Sequence, residues 1–571
     1  MTMYQLTRTA GLAAIVLAVI TLAITLYAVS VAYSPLPYWD QWERVTPGQH
    51  LSQMFVQHNE HLLVIPSLFF LIDTAVFGGR NLFLLASILL IQTAHAGLLI
   101  WLARRAGARG PGLLLAGGLA VGLLFSGAQI ENLYWGFQVQ FVIVYLLATA
   151  CFSVTVLAQP GWKADAGAAA LGLAAAFSFS AGLLVLPAAA VGALLAGRGW
   201  QRIGVLAVSA ALAAFIYSRG MQAFNHSNPG DALGNLVEII YYTIVYLGAP
   251  FGYAFSESPL AGYAPALQDP IEGAKLFGAA GLAAALLLVP LTLWRSGPRA
   301  RLVLLLVAGL VVGAGLLTAM GRWELGAQQA FASRYATPVL IFWVAIAALV
   351  WSFARSLPRK SWRAGAMLGL GGLQVLAMLL LLSNRDIWLD MARSQHNRTV
   401  AAESAIMTGA LDRGALAGIY PWPELVVQRS QLLAAERLSV FGREEAGWLN
   451  RPLAELTPTA PAETCIGSAD QRLALEPSGG APGYVRLAGW GWDSLRRESP
   501  RAYLVVDSGG IVRGFGRRAV DRPDVAAAVL IITDLRTGWI AHARAEPQEP
   551  LIVYALVGSG RSRMVCRVGS I

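Results

Sequence analysis

The chain has 571 residues, of which 56% are hydrophobic and only 13% charged. A soluble protein of this size does not bury so much apolar surface, so most of the chain is expected to face lipid. The net charge of +10 is spread through short loops between apolar runs, a positive-inside pattern that speaks against a nucleic-acid partner.

The first apolar run, about residues 10–32, is too long for a signal-peptide core and lacks a small-residue cleavage site, so it reads as a retained anchor helix. A polar segment follows: Tyr38-Trp39-Asp40-Gln41-Trp42-Glu43-Arg44, then His58-Asn59-Glu60-His61. Ionisable groups beside a bilayer are costly and are functional candidates by default. Two tryptophans flanking Asp40 would partly desolvate its carboxylate and raise its basicity, which suits it to take a proton from a hydroxyl. The alternative is an interfacial aromatic belt with a solvated Asp40. His58 and His61 share a face if the segment is helical. A metal held with Asp40 or Glu60 is one reading, although the spacing matches no zinc-protease motif, and phosphate or sugar binding is supported at least as well. Asp73 and Arg80 read equally as a local ion pair and as ligand contacts.

Further spans are expected near 82–103, 111–126, 138–158, 166–178, 181–196, 203–218, 274–294, 302–320, 336–354 and 364–383. With the N-terminus inside, every inner loop is basic: Arg104, Arg105 and Arg109; Lys163; Arg198 and Arg202; Arg295, Arg299 and Arg301; Arg355, Arg359, Lys360 and Arg363. Leu62–Phe77 and Leu236–Phe255 would each break that scheme as full crossings. They are expected to lie in the outer interface or to dip partway into the membrane. The outer face then receives 33–81, 127–137, 219–273, 320–335 and everything after about 384. Glu131, Asn132 and Gln138 supply hydrogen-bonding groups there. Arg322 and Arg334, the latter followed by Tyr335, are arginines retained outside against the charge bias. Pairing of Arg322 with Glu324 is one explanation, and a guanidinium fork on the phosphate of a lipid carrier is the other.

Residues 385–464 read as a mainly helical connector ending in a Pro/Thr/Ala linker, and 465–571 as a β-sandwich with strands around 484–487, 502–506 and 551–555. Cys465 and Cys566 lie near the ends of that segment. A closing disulfide and two separate thiols both remain open. A transporter would need ionisable groups deep in the spans and related halves; His95 is the main such group, and no repeat is evident.

Four stretches carry a resemblance: His58–His61 with Phe77-Gly78-Gly79-Arg80-Asn81, Glu131-Asn132-Leu133 with Trp135-Gly136-Phe137-Gln138, Phe179–Leu184, and Ser333-Arg334-Tyr335. With the acidic first outer loop, they resemble a bacterial branch of the GT-C superfamily of membrane glycosyltransferases over about the first 385 residues. The resemblance implies a GT-C-like bundle of about eleven transmembrane helices (1–384) in the bacterial cytoplasmic membrane, with the C-terminal domain outside the cytoplasm. It implies a polyprenyl-phosphate-linked sugar donor, a glycan or lipid acceptor, and Asp40 as the catalytic base, with Glu43 its nearest substitute. Many members carry paired acidic residues in that loop; here Gln41-Trp42 separates Asp40 from Glu43. The expectation is therefore a metal-independent transfer with no cofactor, with substrate contacts from Glu43, His58, Glu60, His61, Arg80, Glu131, Asn132, Gln138, Arg322, Arg334 and Tyr335. A polysaccharide polymerase or ligase and a lipid-linked glycan flippase are the alternatives.

Overall fold

A computed structural model describes residues 3–45, 54–220, 234–294, 297–461, 464–475, 483–558 and 562–571. Of the expected features, Arg295 and residues 221–233 of the 219–273 segment lie outside these. The protein is mostly helical, with an antiparallel sheet at its C-terminal end, and divides into two compact units. One comprises residues 1–31, 50–69 and 84–392; the other comprises 32–49, 70–83 and 393–571.

Ten helices among the described residues are long and apolar enough to cross a membrane, which identifies a multi-pass membrane protein. The expected spans 166–178 and 181–196 are shorter elements, Trp162–Ala176 and Ser180–Leu195. Fifteen helical residues rise only about 22 Å, less than a hydrocarbon core of about 30 Å. Val64–Phe77 is likewise a short apolar helix.

Leu236–Ser256 departs from expectation. It is one continuous 21-residue helix and counts among the ten by length and hydropathy. Gly248 is a contact surface: a Cβ there would collide with the backbone at Ala274 and Gly278, and one on Gly278 with the Ile244 carbonyl. Without side chains at these points, the Leu236–Ser256 and Pro270–Trp294 backbones can pack closely, as small residues allow between membrane helices.

Loop contacts give the helical unit two distinct ends. At one end the basic loops meet: Arg301 donates to the Ser352 hydroxyl at 2.8 Å and its carbonyl at 3.0 Å, Ser352 donates to the Ala106 carbonyl, and Arg355 donates to the Gly107 carbonyl. At the other end, Ile65 N–H donates to the Phe177 carbonyl at 3.1 Å, and the Tyr217 hydroxyl donates to the Ala176 carbonyl at 2.7 Å. The Leu236–Ser256 helix meets this second, polar end at several points, Tyr246 facing Tyr335 at 5.9 Å and Tyr253 facing Phe331 at 6.5 Å.

In the second unit, the helices Pro423–Ala435 and Arg413–Ala417 accompany a single seven-stranded antiparallel sheet. Its strands are β1 (Cys465–Leu475), β2 (Tyr484–Asp493), β3 (Ala502–Asp507), β4 (Val512–Val520), β5 (Gly538–Arg544), β6 (Leu551–Val557) and β7 (Met564–Ser570), in spatial order β1-β2-β5-β4-β3-β6-β7. This corrects the expected two-sheet sandwich: there is one sheet, curled into a half-barrel. Glycines at 489, 514 and 516 lie where a Cβ would strike the neighbouring strand, and glycine kinks of this kind let a sheet curl strongly. The Cys465–Cys566 disulfide joins the two edge strands, with Cα atoms 5.8 Å apart.

Candidate active site

The polar end of the helical unit gathers most of the expected site residues. The Gly127–Gln138 segment breaks into short helical turns, so its side chains project from irregular backbone. Asn132 is buried and donates to the Arg334 carbonyl at 2.8 Å and the Thr337 hydroxyl at 2.7 Å. The Thr337 hydroxyl in turn donates to Gln129, which also accepts from Gln92 at 3.0 Å. Ser333 closes the second link, donating to the Ala128 carbonyl at 2.9 Å and accepting the Glu131 N–H at 3.4 Å. These bonds fix the backbone of Arg334 and Tyr335 against the Gly127–Gln138 segment.

Arg334 then pairs with Glu131 at 3.6 Å and lies over the Tyr335 ring at 5.3 Å. Arg322 differs, because it makes no ion pair among the described residues. Glu324, its expected partner, is exposed to solvent. Arg322 stands within electrostatic reach of both His61 and Tyr242, and Tyr242 also feels Arg334 and Tyr335. Tyr242 was not anticipated. It lies in the helix expected in the outer interface or dipping partway into the membrane, where a tyrosine carries no distinctive sequence signal.

The segment holding His58 and His61 is not helical, so the condition under which they would share a face is not met. Their backbones exchange two hydrogen bonds of 2.9 Å around a tight turn, with Asn59 at φ 50°. His58 packs edge-on against Phe137 at 5.3 Å, and His61 lies against Phe179 at 4.1 Å. Burial, together with the nearby His58 and Arg322, pushes the His61 pKa down to about 3, so its imidazole is neutral at physiological pH. Glu60 approaches the His61 Nε2 at 3.9 Å.

Enclosed polar atoms at this end with no hydrogen-bond partner among the described residues include His61 Nδ1, Asn132 Oδ1, Gln138 Oε1, the Tyr242 hydroxyl and Trp323 Nε1. Leaving a buried polar group unsatisfied costs about 1–3 kcal/mol, so these are groups that a polar ligand could satisfy. The same end holds a cavity of about 230 Å³, lined largely by apolar groups that include Tyr246, Pro250, Phe331, Tyr335, Ile387 and Trp388; Ser333 and Tyr335, the chain neighbours of Arg334, are in its wall. A guanidinium within electrostatic reach of a neutral imidazole and a phenol, at an end that also holds an apolar cavity, can bind a phosphate attached to a hydrocarbon chain.

Asp40, Glu43 and Arg80 belong to the second unit. Asp40 is half-buried and precedes the short helix Gln41–Arg44. The two flanking rings are unequal: Trp42 is fully buried, whereas Trp39 is 41% exposed, with φ 47° and its N–H bonded to the Ile419 carbonyl at 2.8 Å. The Tyr420 hydroxyl donates to Glu43 at 2.7 Å. Gln41 donates to Asn81 at 2.9 Å, and Asn81 N–H donates to Asp73 at 3.1 Å. Asp73 thus caps the Asn81 backbone, and Arg80 turns to the Gly442 carbonyl at 3.3 Å.

Among the described residues, no three His, Cys, Asp or Glu side chains gather in a way that could hold a metal ion. His95, the ionisable group deepest in a span, bonds to the Thr149 hydroxyl at 2.9 Å. No family model matches the chain, and neither does any curated protein.

Proposed function

We propose that the protein is a glycosyltransferase of the cytoplasmic membrane, moving a sugar from a polyprenyl-phosphate donor to a hydroxyl of a cell-envelope glycan or lipid. The observation that carries this reading is Arg322: an arginine with no ion pair among the described residues, within electrostatic reach of His61 and Tyr242, whose enclosed Nδ1 and hydroxyl have no partner there either. In this reading Arg322 binds the donor phosphate, and Arg334, positioned by Asn132 and paired with Glu131, adds a second guanidinium at the same end. Neutral His61 and Tyr242 supply hydrogen bonds without adding charge that would compete with the phosphate.

Asp40 is the proposed base, a role carried over from the GT-C resemblance. It takes the acceptor hydroxyl proton as the new bond forms at the sugar C1 and the C1–O bond to phosphate breaks. Polyprenyl phosphate leaves with the electron pair, and the anomeric centre inverts. The test is transfer from a radiolabelled polyprenyl-phosphate sugar by purified protein in lipid nanodiscs. Asp40→Asn should abolish transfer yet leave donor binding within about twofold of wild type, since a base acts on the chemical step rather than on ground-state affinity. Transfer by Asp40→Asn at the wild-type rate would overturn the assignment of the base.

A further inference from the structure

A second cavity, of about 430 Å³, lies at the basic end of the helical unit. The loops leading into the Trp162–Ala176 and Trp200–Gly220 helices form it, with Trp162, Asp165, Arg198, Gln201 and Arg202 in its wall. Arg202 is already committed. It is buried, pairs with Asp165, and donates to the carbonyls of Thr155 at 2.8 Å and Gln159 at 3.2 Å. Arg198 is not. One Nη donates to the Val156 carbonyl, whereas its Nε is buried and has no acceptor among the described residues. Burial and the like charges of Arg299 and Arg202 hold its pKa below the ordinary arginine value. In the cavity wall, the guanidinium groups of Arg198 and Arg202 face one carboxylate, Asp165.

Two tryptophans mark the depth of the cavity. Trp162 and Trp200 are 75% and 80% exposed, and the Lys163 ammonium lies over the Trp162 ring at 5.8 Å. Exposed tryptophans at helix ends sit at the level of lipid headgroups. The amino termini of both helices also begin at the cavity, where the helix dipole favours an anion. We propose that this cavity binds the phosphodiester of an anionic phospholipid, with Arg198 as the principal anion-binding group. The site is separate from the proposed donor site and does not depend on the glycosyltransferase reading. Basic pockets between membrane helices recognise acidic headgroups by the same physics.

The test uses full-length protein in a zwitterionic detergent, titrated with phosphatidylglycerol, phosphatidylcholine or inorganic phosphate, with bound lipid counted by native mass spectrometry. Phosphatidylglycerol should bind, phosphatidylcholine should not compete, and excess inorganic phosphate should leave the lipid bound. Arg198→Gln should weaken phosphatidylglycerol binding about fivefold, the effect of one basic group near a lipid phosphate, whereas Arg198→Lys should keep most of the affinity. Gln201→Glu, an exposed substitution in the cavity wall, should weaken it by a similar factor and covers the case in which Arg198→Gln fails to fold. Equal affinity in Gln201→Glu and wild type overturns the proposal. So does equal binding of the two lipids, or displacement of lipid by inorganic phosphate, which would identify a site for a free anion.

Discussion

At the residue scale, the molecule separates charges that are committed to the fold from those left available. Arg334 has Glu131, whereas Arg322 makes no ion pair among the described residues. A charge-assisted hydrogen bond contributes about 1.5–3 kcal/mol, so Arg322→Gln should weaken donor binding roughly ten- to a hundredfold. Arg322→Lys should recover only part of that loss, because an ammonium cannot form the two-pronged contact. Equilibrium binding of a polyprenyl-phosphate sugar to each variant checks this. In the second unit, His542 is wholly committed: Nδ1 meets the Ser404 hydroxyl at 2.7 Å, and Nε2 meets Asp412 at 3.0 Å, itself bonded to Arg486 at 3.2 Å. Burial lowers the His542 pKa even though Asp412 pulls it upward. Burial raises Asp412, yet its bonds to His542, the Ala415 N–H and Arg486 leave it well below the usual carboxylate range. Below about pH 6.5 the unfolded chain takes up a proton at His542 that the folded unit resists, so stability should be flat above that pH and fall beneath it. His542→Gln should flatten the fall in a pH series of thermal melts. An unchanged slope would show that the titration lies elsewhere.

At the scale of elements, backbone contact decides what hydropathy leaves open. The Leu236–Ser256 and Pro270–Trp294 helices meet at Gly248, Gly252 and Gly278, positions that admit no added methyl group, with Ala274 packed against the first two. Gly248→Val should destabilise the helical unit by about 1–3 kcal/mol through overpacking. Gly369→Ala, on an open helical surface, should leave it unchanged or stabilise it by about 0.5–1 kcal/mol. Thermal unfolding in detergent distinguishes the two, and equal melting points would exclude a close glycine-lined contact. The sequence showed the glycines but not their partner, because a Gly-Ala-Pro run serves equally as a break and as a packing face. Similarly, the His58–His61 spacing fits a helix, and only the tight turn shows that the two rings pack on different aromatic residues.

At the scale of the whole molecule, the chain combines a membrane-spanning unit with a curled sheet whose edges are tied together. Free strand edges invite pairing with other chains, and the Cys465–Cys566 bond lies where β1 and β7 would otherwise be such edges. It spans a sequence separation of 101 residues. Cross-links of this kind contribute about 2–4 kcal/mol, so Cys566→Ser should lower the stability of the sheet unit by that amount. Non-reducing peptide mapping should recover the two cysteines in one linked peptide; finding both as free thiols would refute the bond.

Composition alone determined that the protein lives in a membrane, because no soluble fold can bury so large an apolar fraction. Loop charge divided the chain into a basic face and a polar face, and loop-to-loop hydrogen bonds join the basic loops at one end of the helical unit. Sequence also singled out Glu131, Asn132, Arg322 and Arg334 as polar residues needing a reason. Only the tertiary structure decided which of them are paired with each other and which remain available, since a partner 200 residues away leaves no local trace. It also decided that the strands form one curled sheet. Alternation of side chains reports which face of a strand is buried, but the order of strands and the closure of their edges depend on contacts that no short window contains.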